Sequence, residues 1–512
     1  MRAAYRMPDV GAGGGGGLSA SQSVSQLSFD FSLLDALPVK VSQVAIDSRA
    51  VRPGDVFLAY PGEQADGRKF IAQAVAAGAA AVLWEPKGFH WDVAVRVPNL
   101  AVPGLREKAG LIAAEVYGHP SRGLWTIGIT GTNGKTSCSH WLAQALSDCG
   151  RKGAVIGTLG NGFPGALTPS ANTTPDPASL QQHLRRYADQ GARSVAMEVS
   201  SHALAQGRVN GMRFNVALFT NLSRDHLDYH GDMESYALAK AGLFAWPRLE
   251  HAILNFDDPF APELAQKARR TGASVLGYGF EAGEVRGEDL LVSPYGLAFD
   301  VTTPWGEARV ESGVLGRFNA SNLLGVLATL LASDVPLDRA VHALRALSPV
   351  PGRMQQIRVP GRPLVVVDYA HTPDALEKVL ITLREVVKDS KAAAADSSLI
   401  CVFGCGGQRD KGKRPMMGDV ASRLADSVIV TSDNPRNENS RAILDDIVAG
   451  MGANYHVIED RAAAIDHAIR FAKPDDVVLI AGKGHEDYQE IAGVKLPFSD
   501  MEVAARSLEA WK

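Results

Sequence analysis

The sequence predicts an α/β protein of three domains: a small N-terminal α/β unit, a central P-loop-type doubly wound sheet, and a C-terminal Rossmann-like domain. Three observations predict it. An apolar run, Leu124-Trp125-Thr126-Ile127-Gly128-Ile129, leads into Gly131-Thr132-Asn133-Gly134-Lys135-Thr136-Ser137 and then into a helix-like stretch from Ser139 to Leu146. Short apolar runs recur between helix-length segments, and the pattern restarts after Pro351-Gly352-Arg353. A length of 512 residues suits about three domains by the usual domain sizes.

Residues 1–27 are rich in glycine and serine, with Gly13 to Gly17 in a row and no apolar run before them, which predicts a disordered tail and no signal peptide. The first domain, 28–121, reads as strands around 44–49 and 54–59, a helix over 70–78 with a glycine stop, and a strand over 79–84. The second, 122–350, carries the glycine loop and strand-like runs at 194–199, 216–220 and 252–255, with helical segments between them. An alternating stretch from Leu290 to Val310 predicts an antiparallel addition, and Asn322 to Ala332 a helix. The third, 351–512, has continuous apolar strands at 364–368, 398–403, 427–431 and 477–481, as in a second parallel sheet. The charged, alanine-rich stretch Lys388 to Asp396 reads as a surface loop, and no internal repeat is visible.

Apolar content of 46% and charged content of 21% are ordinary for a soluble globular chain. A formal net charge of −4 gives no support for nucleic acid or an anionic membrane as partner. No apolar stretch approaches the ~20 residues that a membrane span needs. Cys138, Cys149, Cys401 and Cys405 are too few and scattered for a disulfide framework. Cys401 and Cys405 read as free thiols on a strand end and its loop, which suits a reducing compartment.

Strand, glycine loop and helix together aim backbone N–H groups and a helix N-terminus at one place, and such a place attracts phosphate. Lys135 would reach the outer phosphates and the Thr136 hydroxyl would hold Mg²⁺. The motif is shorter than a strict Walker A, since Ile129 stands where that pattern has its first glycine. We read it as a nucleoside triphosphate site. The unusual polar groups follow the central strands, where doubly wound sheets place ligands. They are Glu198, then Ser200-Ser201-His202, and the run Asn221-Leu222-Ser223-Arg224-Asp225-His226-Leu227-Asp228-Tyr229-His230-Gly231. Glu198 and His226, at strand ends near the loop, can serve a second divalent cation bridging a γ-phosphate to its acceptor. Asp225, Asp228 and Gly231 also suit plain turn chemistry.

Taken together, Asn221-Leu222-Ser223-x-Asp225-His226-Leu227-Asp228-x-His230-Gly231 and Gly131-Thr132-Asn133-Gly134-Lys135-Thr136 resemble the Mur ligase family, over about residues 41–505. These cytoplasmic bacterial enzymes build the peptidoglycan stem peptide. The resemblance implies ATP as co-substrate, two Mg²⁺ ions, a cytoplasmic location and a monomer. It implies small-molecule substrates, with no nucleic acid and no membrane as partner. ATP contacts fall on Gly131, Thr132, Asn133, Gly134, Lys135, Thr136 and Ser137, on Asn322 at the adenine side, and on Arg353 and Asp368 from the third domain. The metal set is Thr136, Glu198, His226 and Lys240, the last matching the lysine that the family carbamylates; adding CO₂ turns it into an anionic oxygen ligand. Lys135, Lys240 and His226 take the catalytic roles.

By the same resemblance, Asn172, Thr173 and Thr174, with Ser200, Gln206 and Arg208, contact a UDP-sugar peptide. Ile46, Ser48, Glu63, Gln64 and Ala65 form uridine-side loops, with Glu63 where relatives often carry histidine. Arg409, Asp433, Asn434, Pro435, Arg436, Gly482 and Glu486 would bind the incoming amino acid. Asp433-Asn434-Pro435-Arg436 resembles the diaminopimelate-specific form of the family, and the physics agrees: diaminopimelate has a second carboxylate that lysine lacks, and a guanidinium binds a carboxylate through two parallel hydrogen bonds. Arg409 and Arg436 are expected on carboxylates and Glu486 on an ammonium. The implied reaction is ATP-driven addition of meso-diaminopimelate to UDP-N-acetylmuramoyl-L-alanyl-D-glutamate through an acyl phosphate. No general base is evident. Two other readings stand beside it, a folylpolyglutamate synthase and an ATP-binding scaffold that has lost turnover.

Overall fold

The structure is a computed structural model that describes residues 27–63, 65–170, 172–293, 296–391 and 397–511. The expected tail (but for residue 27), Gln64, and residues 392–396 of the expected loop lie outside the described residues. The described residues form three sheets and a separate hairpin.

The first sheet is parallel, in the order β1 (Val44–Ala45), β2 (Val56–Ala59), β3 (Ala81–Trp84), β4 (Asn99–Ala101). Its strands are shorter than their apolar runs because the flanking residues turn. Asp47 N-terminates one turn by accepting from the Arg49 N–H at 2.9 Å, and Asp55 closes another on Arg52 at 2.8 Å.

The central sheet has eleven strands. They are β5 (Trp125–Thr130), β6 (Gly153–Gly157), β7 (Gly160–Phe163), β8 (Ala166–Thr168), β9 (Ser194–Glu198), β10 (Val216–Phe219), β11 (His251–Asn255), β12 (Ser274–Gly279), β13 (Val285–Ser293), β14 (Gly296–Thr303) and β15 (Gly306–Ser312). Their order is β15-β14-β13-β12-β11-β10-β5-β9-β6-β7-β8. The strands from β6 across to β13 are parallel, and antiparallel ribbons extend both edges. The β13–β15 ribbon matches the expected antiparallel addition, whereas β6 to β8 gave no sequence signal because they are short and glycine fills four of their twelve positions. Side chains alternate between faces along each strand. Ile127 and Ile129 enter one apolar cluster with Trp141, Leu142 and Leu324, while Val195, Met197 and Val199 enter the other with Phe214 and Phe244. Helix Arg317–Ala332 begins five residues before the expected start and is buried on nearly every side from Asn322 onward.

The third sheet runs β16 (Gln355–Ile357), β17 (Leu364–Asp368), β18 (Leu399–Phe403), β19 (Ser427–Val430), β20 (Tyr455–Val457) and β21 (Val477–Ala481), in the order β16-β17-β21-β18-β19-β20. Only β16 is antiparallel. Helix Pro373–Lys391 takes up the first four residues of the expected 388–396 loop, Lys388 to Lys391, since extending a helix already under way costs far less than starting one. Cys401 is the third residue of β18 and not its end, and Cys405 lies in the loop beyond. All four cysteines are free. The hairpin β22 (Tyr488–Ile491) and β23 (Val494–Pro497) follows, unforeseen from its mixed polarity. Among the described residues, no helix is long and apolar enough to cross a membrane.

Candidate active site

β5 lies between β9 and β10, and the pairing sets Ile129 beside Glu198 and Thr130 beside Phe219. Three strand ends therefore open at one level. The chain leaves β5 through Gly131 (φ +147°) and enters helix Lys135–Asp148 through Gly134 (φ +88°). A Cβ at Gly131 would stand 2.0 Å from Thr220 Oγ1, and one at Gly134 2.5 Å from Asn322 Oδ1, so both positions demand glycine. The loop offers fewer free donors than strand–loop–helix geometry suggests. Asn221 accepts from Thr132 N through its carbonyl (2.8 Å) and from Asn133 N through Oδ1 (3.1 Å). The donors left for an anion are those opening the helix at Lys135, Thr136 and Ser137, which have no intrahelical acceptor. Lys135 Nζ donates to the carbonyls of Gly131 and Thr132, both at 2.8 Å. Burial lowers its pKa, with Glu198 and Asp225 opposing.

Below that loop, Thr136 Oγ1 donates to Glu198 Oε2 at 3.0 Å. Glu198 is 1% exposed, forms no ion pair among the described residues, and is otherwise held by Thr158 through N (2.7 Å) and Oγ1 (3.2 Å). A buried carboxylate beside a hydroxyl is a hard-oxygen donor set, and Mg²⁺ fits it when phosphate oxygens and water complete the octahedron. No group of three or more His, Cys, Asp or Glu among the described residues is arranged to hold a metal by itself. His226 stands in the cleft wall with Nε2 3.3 Å from Asp225 Oδ2. Burial holds its pKa well down, so the ring is neutral and keeps a lone pair. Lys240 is 1% exposed; its Nζ donates to the Gly131 carbonyl at 2.8 Å and lies 4.4 Å from the Tyr236 ring centre. Burial, reinforced by Lys135, drives its pKa well below the ordinary lysine value. An amine of this kind fits a metal only after conversion to an oxygen donor.

The third domain closes the other wall. Arg353 Nη2 donates to Thr136 Oγ1 at 3.1 Å, with its guanidinium 4.5 Å from the Tyr369 ring centre. Asp368, at the end of β17, accepts from Met354 N at 2.7 Å; burial raises its pKa and Arg353 opposes the rise. Asp374 Oδ2 accepts from Asn133 Nδ2 (3.0 Å) and Ser223 Oγ (3.1 Å), tying helix Pro373–Lys391 to the glycine loop. Asn322 Nδ2 donates to Asn319 Oδ1 at 3.1 Å. These groups line one cleft of about 650 Å³, which takes in Thr132 to Ser137, Glu198, His226, Lys240, Asn322, Arg353 and Asp368, and also reaches Thr173 and Ser200. Asp374 was missed in the sequence, where it reads as an ordinary helix-start acid.

The remaining predicted groups form two further clusters. Thr174 Oγ1 donates to the Glu198 carbonyl (2.8 Å) and accepts from Ser200 N (3.2 Å). Arg208 donates to the Thr174 carbonyl (3.0 Å) and to Gln206 Oε1 (2.8 Å). Asn172 is exposed next to them. In the first domain Ser48 donates to Gln73, Glu63 pairs with Arg106, Ile46 is half-buried and Ala65 exposed; none of the four lines the cleft. Tyr60 links the two sets. Burial, then Asp176, raises its pKa while Arg106 and Arg208 lower it, so these three charges face one seam.

In the third domain, a Cβ on Gly406 would stand 2.9 Å from Arg436 Nη1 and 3.8 Å from Arg409 Cγ, so both arginines flank that glycine. Arg436 donates to the Gly407 carbonyl at 2.8 Å and stands 3.5 Å from Glu490 of the hairpin. Pro435 and Asn434 are buried, and Gly482 N donates to the Asp368 carbonyl at 3.1 Å. One expectation changes here. Glu486 Oε2 is already engaged, by Lys483 Nζ at 2.9 Å and Asn434 Nδ2 at 2.7 Å, so only its other oxygen is left for an ammonium. The charged run 406–415 turns one arginine inward. Arg414 is 1% exposed and paired with Glu438 (3.0 Å) and Asp446 (2.9 Å), which lets a charge sit inside.

This arrangement defines a class. Family models match residues 40–117 (Mur ligase family, catalytic domain), 129–330 (Mur ligase middle domain) and 352–484 (Mur ligase, glutamate ligase domain). The chain belongs to the Mur ligase family. A relative from Chromobacterium violaceum, named UDP-N-acetylmuramoyl-L-alanyl-D-glutamate--2,6-diaminopimelate ligase, is 55% identical over 485 residues, 94% of this chain and 97% of its own. A solved structure of a protein of that name is 40% identical, with a TM-score of 0.66 over 92% of this chain and 95% of its own. A folylpolyglutamate synthase from Mycobacterium tuberculosis shares the fold at 20% identity, with a TM-score of 0.60 over 73% of this chain and 92% of its own.

Proposed function

We propose that this chain is the ATP-dependent ligase that adds meso-2,6-diaminopimelate to UDP-N-acetylmuramoyl-L-alanyl-D-glutamate in peptidoglycan precursor synthesis. One observation carries the reading. Asp368 sits in the nucleotide cleft, and its carbonyl accepts from Gly482 N of the acceptor loop, so a single strand end joins the ATP side to the amino-acid side. The assigned spans are 28–121 for the uridine end, 122–350 for ATP and phosphoryl transfer, and 351–512 for the acceptor. The curated relative covers all three spans, whereas the folate enzyme's fold covers a smaller share of the chain.

In this reading a D-glutamyl carboxylate oxygen attacks the γ-phosphorus of ATP, giving an acyl phosphate and ADP. The diaminopimelate amine then attacks the acyl carbon, the C–O bond to phosphate breaks, and the nitrogen gives up a proton. Lys135 turns from its own loop carbonyls to the outer phosphates, where fixed positive charge stabilises the transferring group. The helix start at Lys135 to Ser137 holds phosphate oxygens, Asn322 faces the adenine, and Arg353 and Asp368 close on the nucleotide from the third domain. Two Mg²⁺ ions, when bound through Thr136 and Glu198 and through His226 and carbamylated Lys240, supply charge neutralisation between the phosphates and the carboxylate. The depressed pKa of Lys240 supports that modification, because only the neutral amine reacts with CO₂. Thr173, Thr174, Ser200, Gln206 and Arg208, with Asn172, orient the dipeptide, and Ile46, Ser48, Glu63 and Ala65 the uridine. Arg409 and Arg436 take acceptor carboxylates, with Asp433, Asn434, Pro435, Gly482 and Glu486 around them. The protein acts as a cytoplasmic monomer on small molecules.

The test is phosphate release with ATP, Mg²⁺ and UDP-N-acetylmuramoyl-L-alanyl-D-glutamate, comparing meso-diaminopimelate with L-lysine. Release with diaminopimelate alone supports the reaction and its specificity. Preference for lysine would overturn the role of Arg436, and silence with both would overturn the ligase.

A further inference from the structure

The loops that flank the acceptor, 432–436 and 482–486, begin at the ends of β19 and β21. These strands are not neighbours, because β18 lies between them. Their ends are thus about two strand spacings apart, roughly 10 Å, and no ladder hydrogen bond sets that separation directly. A buried side chain from outside both loops spans it. Arg461, the first residue of helix Arg461–Phe471, donates through Nη2 to the Ala481 carbonyl (2.9 Å) and through Nη1 to the Ser432 carbonyl (3.4 Å). Those two carbonyls immediately precede Gly482 and Asp433. The guanidinium is held in turn by Asp500, the first residue of the final helix, through Nε (2.7 Å) and Nη2 (2.8 Å). Both side chains are 0% exposed.

A fully buried ion pair is weak evidence for stability, since well-packed apolar residues of the same size often serve as well. Its geometry points to what the fork does beyond pairing. Arg461 uses its planar donors on two carbonyls and a carboxylate at once, which a lysine cannot reproduce. Its charge also faces Asp433 and Glu486, both on the acceptor loops. The loops also touch each other directly, where Asn434 donates to Glu486 and accepts from Lys483, and Gln489 of the hairpin donates to the Asp433 carbonyl, but all of these groups belong to the loops and hairpin themselves, whereas Arg461 belongs to a helix outside them.

We infer that Arg461, locked by Asp500, is a positioning residue for the amino-acid acceptor: it fixes the distance between the loop carrying Arg436 and the loop carrying Glu486, and so the length of diamino acid that fits. The inference rests on the diaminopimelate reading above.

The experiment measures KM for meso-diaminopimelate, ATP and the UDP-dipeptide, with melting temperature, in the full-length wild type, Arg461→Lys, and the apolar double variant Arg461→Met with Asp500→Leu. Arg461→Lys keeps the charge and is expected to raise KM for diaminopimelate at least tenfold while leaving the other two within twofold. The double variant is expected to melt near the wild type yet keep the raised acceptor KM, which a purely structural pair would not do. An unchanged acceptor KM in Arg461→Lys, equal shifts for all three substrates, or recovery of acceptor KM along with melting temperature in the double variant overturns the inference. Wild type that turns over diaminopimelate beside variants that match it would remove the inference alone. Wild type without turnover would remove the proposed function and the inference with it.

Discussion

The nucleotide cleft and the acceptor loops handle charge in opposite ways. Around the glycine loop, Lys135 and Lys240 rest on backbone carbonyls and neither has an ion-pair partner among the described residues. Around the acceptor loops nearly every charge has its opposite close by: Arg461 with Asp500, Arg414 with Glu438 and Asp446, Lys483 with Glu486, and Arg436 near Glu490. The difference matches the ligands proposed. A polyanion is best met by a cation held without a counter-ion, here Lys135, whose desolvation the ligand itself relieves, while the buried Lys240 enters the cleft as a neutral amine. A zwitterion with two carboxylates and two amines is best met by a balanced lattice in which only geometry discriminates.

The strongest test of that contrast is Lys135→Met. Removing an uncompensated cation from the phosphoryl path is expected to cut phosphate release by about 10³-fold, with little change in melting temperature. Loss of stability with retained turnover would break the contrast.

Next comes pH. His140, on the helix behind the glycine loop, has a buried Nε2 without a hydrogen-bond partner, and burial together with Arg353 lowers its pKa from 6.5 to about 4. The unfolded chain therefore binds a proton that the folded chain refuses between those values. Stability falls as pH drops from 6.5 to 4, by roughly 3 kcal/mol for this group. Denaturant midpoints across that window should fall less steeply in His140→Phe than in the wild type.

On the balanced side, Arg436→Ala is expected to lower kcat/KM for diaminopimelate by about 30-fold, the worth of a hydrogen bond to a charged group, with KM for ATP unchanged. The smallest effect is at the join. Asp374→Asn keeps an acceptor for Asn133 and Ser223 but loses the charge paired with Lys378 at 3.0 Å. About a threefold loss in kcat is expected from a part-exposed contact of this kind. A hundredfold loss would mean that the domain junction, and not either charge pattern, controls the rate.

The two regions also differed in how far they could be read from sequence. The strand, glycine loop and helix of the central sheet were legible because 124–146 carries its own periodicity and turn chemistry. The Glu198 and His226 strand ends were legible from the rule that places ligands beyond parallel strands. What could not be read was pairing at a distance. Nothing local in Asn221 announces that it takes the Thr132 and Asn133 N–H groups, and nothing in 406–415 marks Arg414 as the one charge that goes inside. The glycine-rich strands β6 to β8 and the hairpin β22–β23 lack apolar alternation, because they are short and pair mostly with their own neighbours in the chain. Arg461 looks like any helix-start arginine until Asp500, Ser432 and Ala481 are seen around it.

The position of β9 also bears on synthesis. β5 and β6 are consecutive in the chain but are separated in the sheet by β9, and β5 gains its other neighbour only with β10. As the polypeptide emerges from the ribosome, the glycine loop is made at residue 131, but its first flanking strand, β9, is complete only at residue 198 and its second, β10, only at residue 219. That interval is about 90 residues, or roughly 5–20 s at ordinary elongation rates. A nascent chain stalled before β10 therefore displays the whole phosphate motif and still cannot shape it, and capture of nucleotide should begin only once that strand has left the exit tunnel.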